Sequence, residues 1–230
     1  MSRKTVTAIA ALFAMGITAV QAELIIAGWH AGNNISGGVW NADVFAAGIE
    51  AQTLQNPGAI LKSGNGSNDE TYGAEFPDAG KSNGSMGLNP DKYVEFVVEN
   101  TGTQSYDLIA FRFDAYRAGA AGVPQLVVSV ASGDITTGDL ATINLPGHGS
   151  TPATPDATDF DDFDIMLDSL ADYTLAAGES VTFRITGVGG TSNILLDNIA
   201  VTGIIPEPAA AGLLVAGIVG LLGIRRSVRR

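Results

Sequence analysis

The fold is decided by two stretches in which apolar and polar residues alternate, YVEFVVE at residues 93–99 and DLIAFRFDAY at residues 107–116. In the first stretch Val94, Phe96 and Val98 share one face of an extended chain, and Val97 is the exception to the alternation. In the second, every other residue from position 109 to position 115 is apolar. Because successive side chains of a strand point to opposite faces, both stretches predict half-buried β-strands.

Six further segments have the same alternating or apolar character and are separated by clusters of Gly, Asn, Asp, Ser and Pro. They are residues 24–29, 125–131, 140–145, 163–167, 180–186 and 193–202. About eight or nine short strands predict an all-β fold, a single antiparallel β-sandwich of the jelly-roll type. Three polar stretches, at residues 62–70, 79–90 and 146–158, are predicted to be surface loops. The pattern of residues 41–53 also allows a short helix.

The N-terminus has the parts of a secretory signal peptide. Two cations precede an apolar run over residues 6–20, and Val20, Gln21 and Ala22 supply small residues where signal peptidase cleaves. We therefore expect residues 1–22 to be removed, which leaves Glu23 as the mature N-terminus and exports the rest of the chain.

The C-terminus carries a Pro206-Glu207-Pro208 triplet and then an apolar run over residues 209–224. Four arginines follow this run: Arg225, Arg226, Arg229 and Arg230. Sixteen helical residues span about 24 Å, and arginine side chains can reach the headgroups of a hydrocarbon core about 30 Å thick. Basic residues favour the cytoplasmic side, so this transmembrane helix would hold the domain at the inner membrane, outside the cytoplasm.

These three C-terminal features, in this order, resemble the PEP-CTERM sorting signal of Gram-negative bacteria. The resemblance covers residues 206–230 and implies recognition by a membrane-embedded exosortase, a cysteine transpeptidase-like enzyme. It also implies a link to exopolysaccharide and biofilm production, and leaves a sandwich domain at residues 23–205. Residues 175–185 and 195–201 are similar, in a looser way, to closing strands of jelly-roll modules in PEP-CTERM and carbohydrate-binding proteins. A plain anchor with an incidental Pro-Glu-Pro hinge is the alternative.

The composition excludes several classes of binding partner and several kinds of catalytic or metal site. Residues 23–208 hold all 24 carboxylates but only six of the 12 basic residues, which gives this part a formal charge of −18. Such a surface repels phosphate backbones, which argues against nucleic acid and leaves divalent cations and neutral sugars as compatible partners. The chain has no cysteine and only two histidines, which excludes thiol catalysis and multi-histidine metal centres. His30 is predicted to be a packing residue, and His148 an exposed loop residue.

The sequence favours a protein that is not an enzyme. A glycosidase needs only two suitably spaced carboxylates, but the Glu-x-Asp-x-Glu strand of sandwich glycosidases similar to laminarinases is absent. Glu95 and Glu99 share a predicted strand face, where we expect both to meet solvent. A glycoside hydrolase therefore remains the second alternative.

The densest acidic run is a candidate for structural calcium, since this ion takes six to eight oxygen ligands. The candidate ligands are Asp159, Asp161, Asp162 and Asp164. Asp197 shares parity with Ile199 and Val201, so a regular strand would point its carboxylate into the core. It would then need backbone donors, a cation or a bulge that turns it outward.

Aromatic residues are candidates for sugar contacts, because pyranose faces stack on aromatic rings. The candidates are Trp29, Trp40, Tyr72, Tyr116 and Tyr173. Core packing is the competing interpretation, above all for the two tryptophans. Taken together, the sequence predicts an exported, non-enzymatic cell-envelope or extracellular-matrix protein. A carbohydrate-binding module that retains exopolysaccharide is the first alternative.

Overall fold

The structure is a computed structural model that describes residues 22–29, 42–55, 60–63, 84–117, 119–147 and 160–206. Within these ranges the chain forms thirteen strands and no helix. In chain order they are β1 (Leu24–Trp29), β2 (Val44–Phe45), β3 (Ile49–Gln55), β4 (Ile60–Ser63), β5 (Gly84–Leu88), β6 (Tyr93–Asn100), β7 (Tyr106–Tyr116), β8 (Gln125–Gly133), β9 (Gly138–Asn144), β10 (Asp161–Met166), β11 (Thr174–Leu175), β12 (Ser180–Val188) and β13 (Ile194–Ile204).

The strands form two sheets, and the pairs between strands are antiparallel. The eight-stranded sheet has the order β10-β7-β13-β1-β2, with β5 also pairing with β13, β4 with β5, and β11 with β7. The five-stranded sheet has the order β3-β6-β12-β8-β9. The predicted all-β fold with a sandwich of antiparallel sheets is confirmed for the described residues.

An aromatic cluster joins the two sheets. Phe183 of β12 stacks on Phe111 of β7 with ring centroids 4.9 Å apart, and Phe96 of β6 meets Trp29 of β1 edge-on at 5.2 Å. All four side chains are fully buried. Each buried side chain of this size contributes about 1.5–3 kcal/mol to the hydrophobic stabilisation. The inward residues of the two alternating stretches therefore hold the sandwich together, as their pattern predicts.

Two expectations about local structure are wrong. Residues 41–53 do not form a helix, because Ile49 and Thr53 are buried while Glu50 and Gln52 are exposed, and this period of two suits strand β3. The predicted loop over residues 79–90 contains β5, in which residues 85–88 are all buried. Because these four consecutive residues are buried, β5 has no exposed polar face, and an alternating pattern depends on such a face.

The first and last strands of the domain are direct neighbours. Leu24 of β1 lies opposite Gly203 of β13, so the start of the first strand and the end of the last strand are adjacent. Strand β13 lies inside the eight-stranded sheet, with β7 along one side and β5 and β1 in succession along the other. The strand that leads into the C-terminal tail is therefore a central strand.

The chain divides into two compact units. One is Glu23–Ile205, and the other combines residues 1–22 with residues 206–230. Of the second unit only Ala22 and Pro206 are described, so the predicted signal peptide, transmembrane helix and Arg-rich end lie outside the described residues. In the part of the chain that is described, no helix is long and apolar enough to cross a membrane.

Candidate functional site

The outward face of the five-stranded sheet carries a mixed polar surface. Val94, Phe96 and Val98 of β6 point into the core, so the residues between them point outward, and β12 and β8 alternate in the same way. We define the outward face by ten half-buried or exposed residues of the three central strands. They are Tyr93, Glu95, Val97 and Glu99 on β6, Thr182, Arg184 and Thr186 on β12, and Gln125, Val127 and Ser129 on β8.

At the centre of the outward face Arg184 is held by Glu95 and Tyr93. Arg184 lies opposite Glu95 across the strand pair and donates its Nε–H to Glu95 Oε1 at 2.9 Å. Its Nη2–H donates to the same oxygen, and Cζ lies 4.3 Å from the centre of the Tyr93 ring. An ion pair and a cation–π contact thus fix one guanidinium in one orientation.

The pair keeps hydrogen-bonding capacity that the protein does not use. Among the described residues no hydrogen bond involves Arg184 Nη1 or Glu95 Oε2. The Arg184 side chain is 36% exposed and that of Glu95 15%. One donor of Arg184 and one acceptor of Glu95 are therefore free of other described residues, on a pair that is partly exposed. The expectation that Glu95 simply meets solvent is wrong, whereas Glu99 is exposed as expected.

A second polar cluster lies on the eight-stranded sheet and is buried. Asp197 of β13 and Asp114 of β7 face each other in register, and both are fully buried. Asn198 donates its side-chain amide to Asp114 Oδ2 at 2.8 Å, and its backbone N–H donates to Asp197 Oδ1 at 2.9 Å. Asn198 has φ of 45°, in the left-handed region that Asn tolerates better than most residues.

A bulge explains why Asp197 does not point into the aromatic core. Asp197 pairs with Asp114, but Ala200 pairs with Arg112, so β13 carries one extra residue at this place. The extra residue reverses the parity of Asp197 relative to Ile199 and Val201. The expectation drawn from a regular strand is therefore wrong, and the bulge that was its alternative is present. The bulge lies where the neighbour of β13 changes from β5 to β1.

The acidic run proposed for calcium is part of a strand from Asp161 onward. Along β10 the side chain of Asp161 is half-buried, while Asp162 and Asp164 are exposed and point the opposite way. Asp164 lies 3.5 Å from Arg112, which also binds Glu23 at 2.6 Å. Among the described residues no three His, Cys, Asp or Glu side chains come together as a metal site. Asp159 lies outside the described residues, and calcium binding stays a prediction.

The structure corrects the aromatic candidates for sugar contacts. Trp29 is fully buried in the core, and Tyr116 is 1% exposed and packs on Phe160 at 5.7 Å, so neither is available to a ligand. Tyr173 is half-buried and packs against the core. Trp40 and Tyr72 lie outside the described residues. Sequence reasoning missed Tyr93 as a candidate, although its outward position beside Glu95 follows from the alternation.

The other predicted site residues are placed as follows. Ala22 and Glu23 are exposed, Pro206 is half-buried, and Glu207, Pro208 and the four terminal arginines lie outside the described residues, as do His30 and His148. The sequence contains one Gly-x-Ser-x-Gly pattern, at residues 80–84. It leads into strand β5, whereas the nucleophile elbow of a hydrolase leads into a helix.

Comparison with known proteins gives similarities at the level of solved structures. No family model matches the sequence, and no curated protein matches it. The exo-β-1,3-galactanase of Phanerochaete chrysosporium is 16% identical with a TM-score of 0.35, and the match covers 77% of this chain but 29% of the enzyme. The K2 cleaved adhesin domain of Lys-gingipain is 13% identical over 78% of this chain and 97% of that domain, with a TM-score of 0.38. The family 11 carbohydrate-binding module of the Clostridium thermocellum cellulase Lic26A-Cel5E is 12% identical over 82% and 97%, with a TM-score of 0.34.

Proposed function

We propose that this protein is an exported, non-enzymatic component of the cell envelope or extracellular matrix that an exosortase sorts through its C-terminal tail. The observation that carries the proposal is the fit between the folded unit and the two processing signals. The compact unit Glu23–Ile205 begins directly after the predicted signal-peptidase site and ends directly before the Pro-Glu-Pro triplet.

The position of β13 allows the tail to be cleaved without disrupting the fold. Because β13 is a central strand and ends at Ile204, cleavage of the chain beyond Pro206 would remove no part of either sheet. The domain would first be held at the inner membrane by the helix over residues 209–224. It would then be released, still folded, to the cell surface or the matrix.

The placement of three described acidic residues supports a role without catalysis. Glycoside hydrolysis needs two carboxylates that flank a bound substrate. Asp114 and Asp197 face each other but are fully buried, and Glu95 is held by Arg184. We therefore place the glycoside hydrolase behind the two non-enzymatic functions.

The experiment for this proposal is intact-mass analysis of the exported protein. We expect a species that begins at Glu23 and ends upstream of residue 209 in a strain that has an exosortase. In a strain that lacks the exosortase we expect the same N-terminus with the tail retained. A protein that keeps Met1 contradicts export, and identical C-termini in the two strains contradict sorting by the exosortase.

Carbohydrate binding is the second candidate function, and the outward face of the five-stranded sheet favours it. This face displays one aromatic ring, one fixed guanidinium, and hydroxyl side chains on adjacent strands. These groups are the usual contacts of a neutral sugar, which offers hydroxyls and apolar ring faces. Retention of the exported protein on immobilised neutral polysaccharide tests this function.

A further inference from the structure

The charges of the five-stranded sheet disfavour an anionic ligand. Arg184 is the only cation on its five strands, all of which are described, and Glu95 neutralises it. The remaining carboxylates of these strands, Glu50, Glu99 and Asp139, are exposed and carry no compensating cation on the sheet. An anionic polymer would meet net negative charge here, whereas a neutral one would meet none of this repulsion.

The donor and the acceptor that remain on the Arg184–Glu95 pair can each bind a sugar hydroxyl. A hydroxyl both donates and accepts, so one sugar hydroxyl can accept from Arg184 Nη1 while another donates to Glu95 Oε2. Hydrogen bonds to charged groups are stronger than neutral ones. Because Tyr93 and Glu95 already fix the guanidinium, little side-chain entropy is lost when a ligand binds.

A row of side chains continues from this pair across the sheet. Thr186 of β12 lies opposite Tyr93 on one side and Val127 of β8 on the other, and Val127 lies opposite Thr142 of β9. Adjacent strands are about 4.8 Å apart, so the row crosses four strands with hydroxyl and apolar groups at regular intervals. A chain of sugar rings laid across the strands would meet both kinds of group.

We infer that the outward face binds a neutral glycan, with Arg184, Glu95 and Tyr93 as its central contacts and the Thr186–Val127–Thr142 row as its continuation. The inference deepens the second candidate function and rests on it. The competing interpretation is an ion pair that only stabilises the sheet, and the test is built to separate the two.

The test measures binding of the exported protein, purified with its tail retained from a strain that lacks the exosortase and kept in mild detergent, to three neutral polysaccharides and one anionic one. The probes are hydroxyethylcellulose, laminarin, galactomannan and alginate, at one fixed ionic strength. The test variant is Arg184→Met with Glu95→Met, since replacing both partners leaves no unpaired charge and is often neutral for folding. The control is Phe45→Ala, which removes an aromatic ring 59% exposed on the other sheet.

We expect binding to at least one neutral polysaccharide and none to alginate. The double variant should bind at least about tenfold more weakly, which corresponds to about 1.4 kcal/mol, and Phe45→Ala should stay within about twofold of the unmodified protein. Melting curves that match the unmodified protein establish that each variant is folded. Tyr93→Ala provides a second variant that leaves the ion pair in place and should also weaken binding.

Three other outcomes would each contradict a different part of the inference. Unchanged binding by the double variant and by Tyr93→Ala overturns this site and leaves carbohydrate binding in place. Failure of the unmodified protein to bind any of the three neutral polysaccharides overturns both the site and the second candidate function. Preference for alginate overturns the requirement for an uncharged ligand.

Discussion

The bulge at Asn198 gives the sharpest prediction about stability. The change Asn198→Ala removes the hydrogen bond to the buried Asp114 carboxylate, which is 2.8 Å long, and places a Cβ-bearing residue that tolerates left-handed φ poorly at φ of 45°. Loss of a hydrogen bond to a buried carboxyl group costs about 2 kcal/mol, and the left-handed conformation adds about 1 kcal/mol. The change Asn198→Gly loses the same bond without the conformational cost. We expect the free energy of unfolding to fall by about 3 kcal/mol for Ala and about 2 kcal/mol for Gly.

Urea unfolding of the exported protein measures these differences, and thermal melting should show them as well. For a domain of this size each kcal/mol corresponds to about 2–4 °C in Tm. The control is Asn144→Ala on β9, which loses an exposed hydrogen bond from Gln125 and should cost less than about 0.5 kcal/mol. Equal stabilities of the Ala and Gly variants would refute the left-handed conformation at residue 198. Stabilities equal to that of the unmodified protein would refute the buried hydrogen bond.

Two other predictions address packing and ions. A Cβ at Gly133 would lie 2.4 Å from the Ser180 carbonyl oxygen, whereas a Cβ at Gly138 would meet nothing within 4 Å. Because both glycines have positive φ, the backbone strain of an alanine is similar at the two positions, and Gly133→Ala should lower Tm by several degrees more than Gly138→Ala. Equal losses in Tm would contradict the close approach of β8 to β12. If the acidic run binds calcium, the exported protein should melt at a higher temperature in millimolar calcium than in magnesium at equal ionic strength, by an amount set by about 2.7 kcal/mol at a hundredfold excess over Kd. Asp162→Asn with Asp164→Asn, which removes two exposed carboxylates from one face of β10, should reduce that difference, and equal melting temperatures in the two salts would show a solvated surface instead.

Strands with one buried face and one exposed face could be predicted from the sequence, because apolar and polar residues alternate along them. Strands β6 and β7 extend over Tyr93–Asn100 and Tyr106–Tyr116, close to the predicted ranges. Strand β5 could not be predicted in this way, since its residues 85–88 are all buried and therefore do not alternate. Two glycines and one serine among its five residues also give this strand the composition of a loop.

The candidate site depends on register, which the sequence does not show. The pairing of Arg184 with Glu95 joins residues 89 positions apart, and nothing in either strand alone indicates that they lie opposite each other. Asp197 was subject to the same limit, because one extra residue in β13 reverses its direction. Trp29 and Tyr116 were candidates for sugar contacts because they are aromatic, but both are buried in the structure. The sequence does not distinguish an aromatic residue of the core from one that is exposed to a ligand.

The central claim is that the tail is recognised as a sorting signal, and the change Glu207→Ala tests it most directly. The substitution leaves the apolar run and the arginines intact, so a plain membrane anchor would not be affected by it. We predict that in a strain with an exosortase the unmodified protein leaves the inner membrane, whereas Glu207→Ala remains there with its tail uncleaved. Identical fractionation of the two proteins would contradict sorting through the Pro-Glu-Pro triplet.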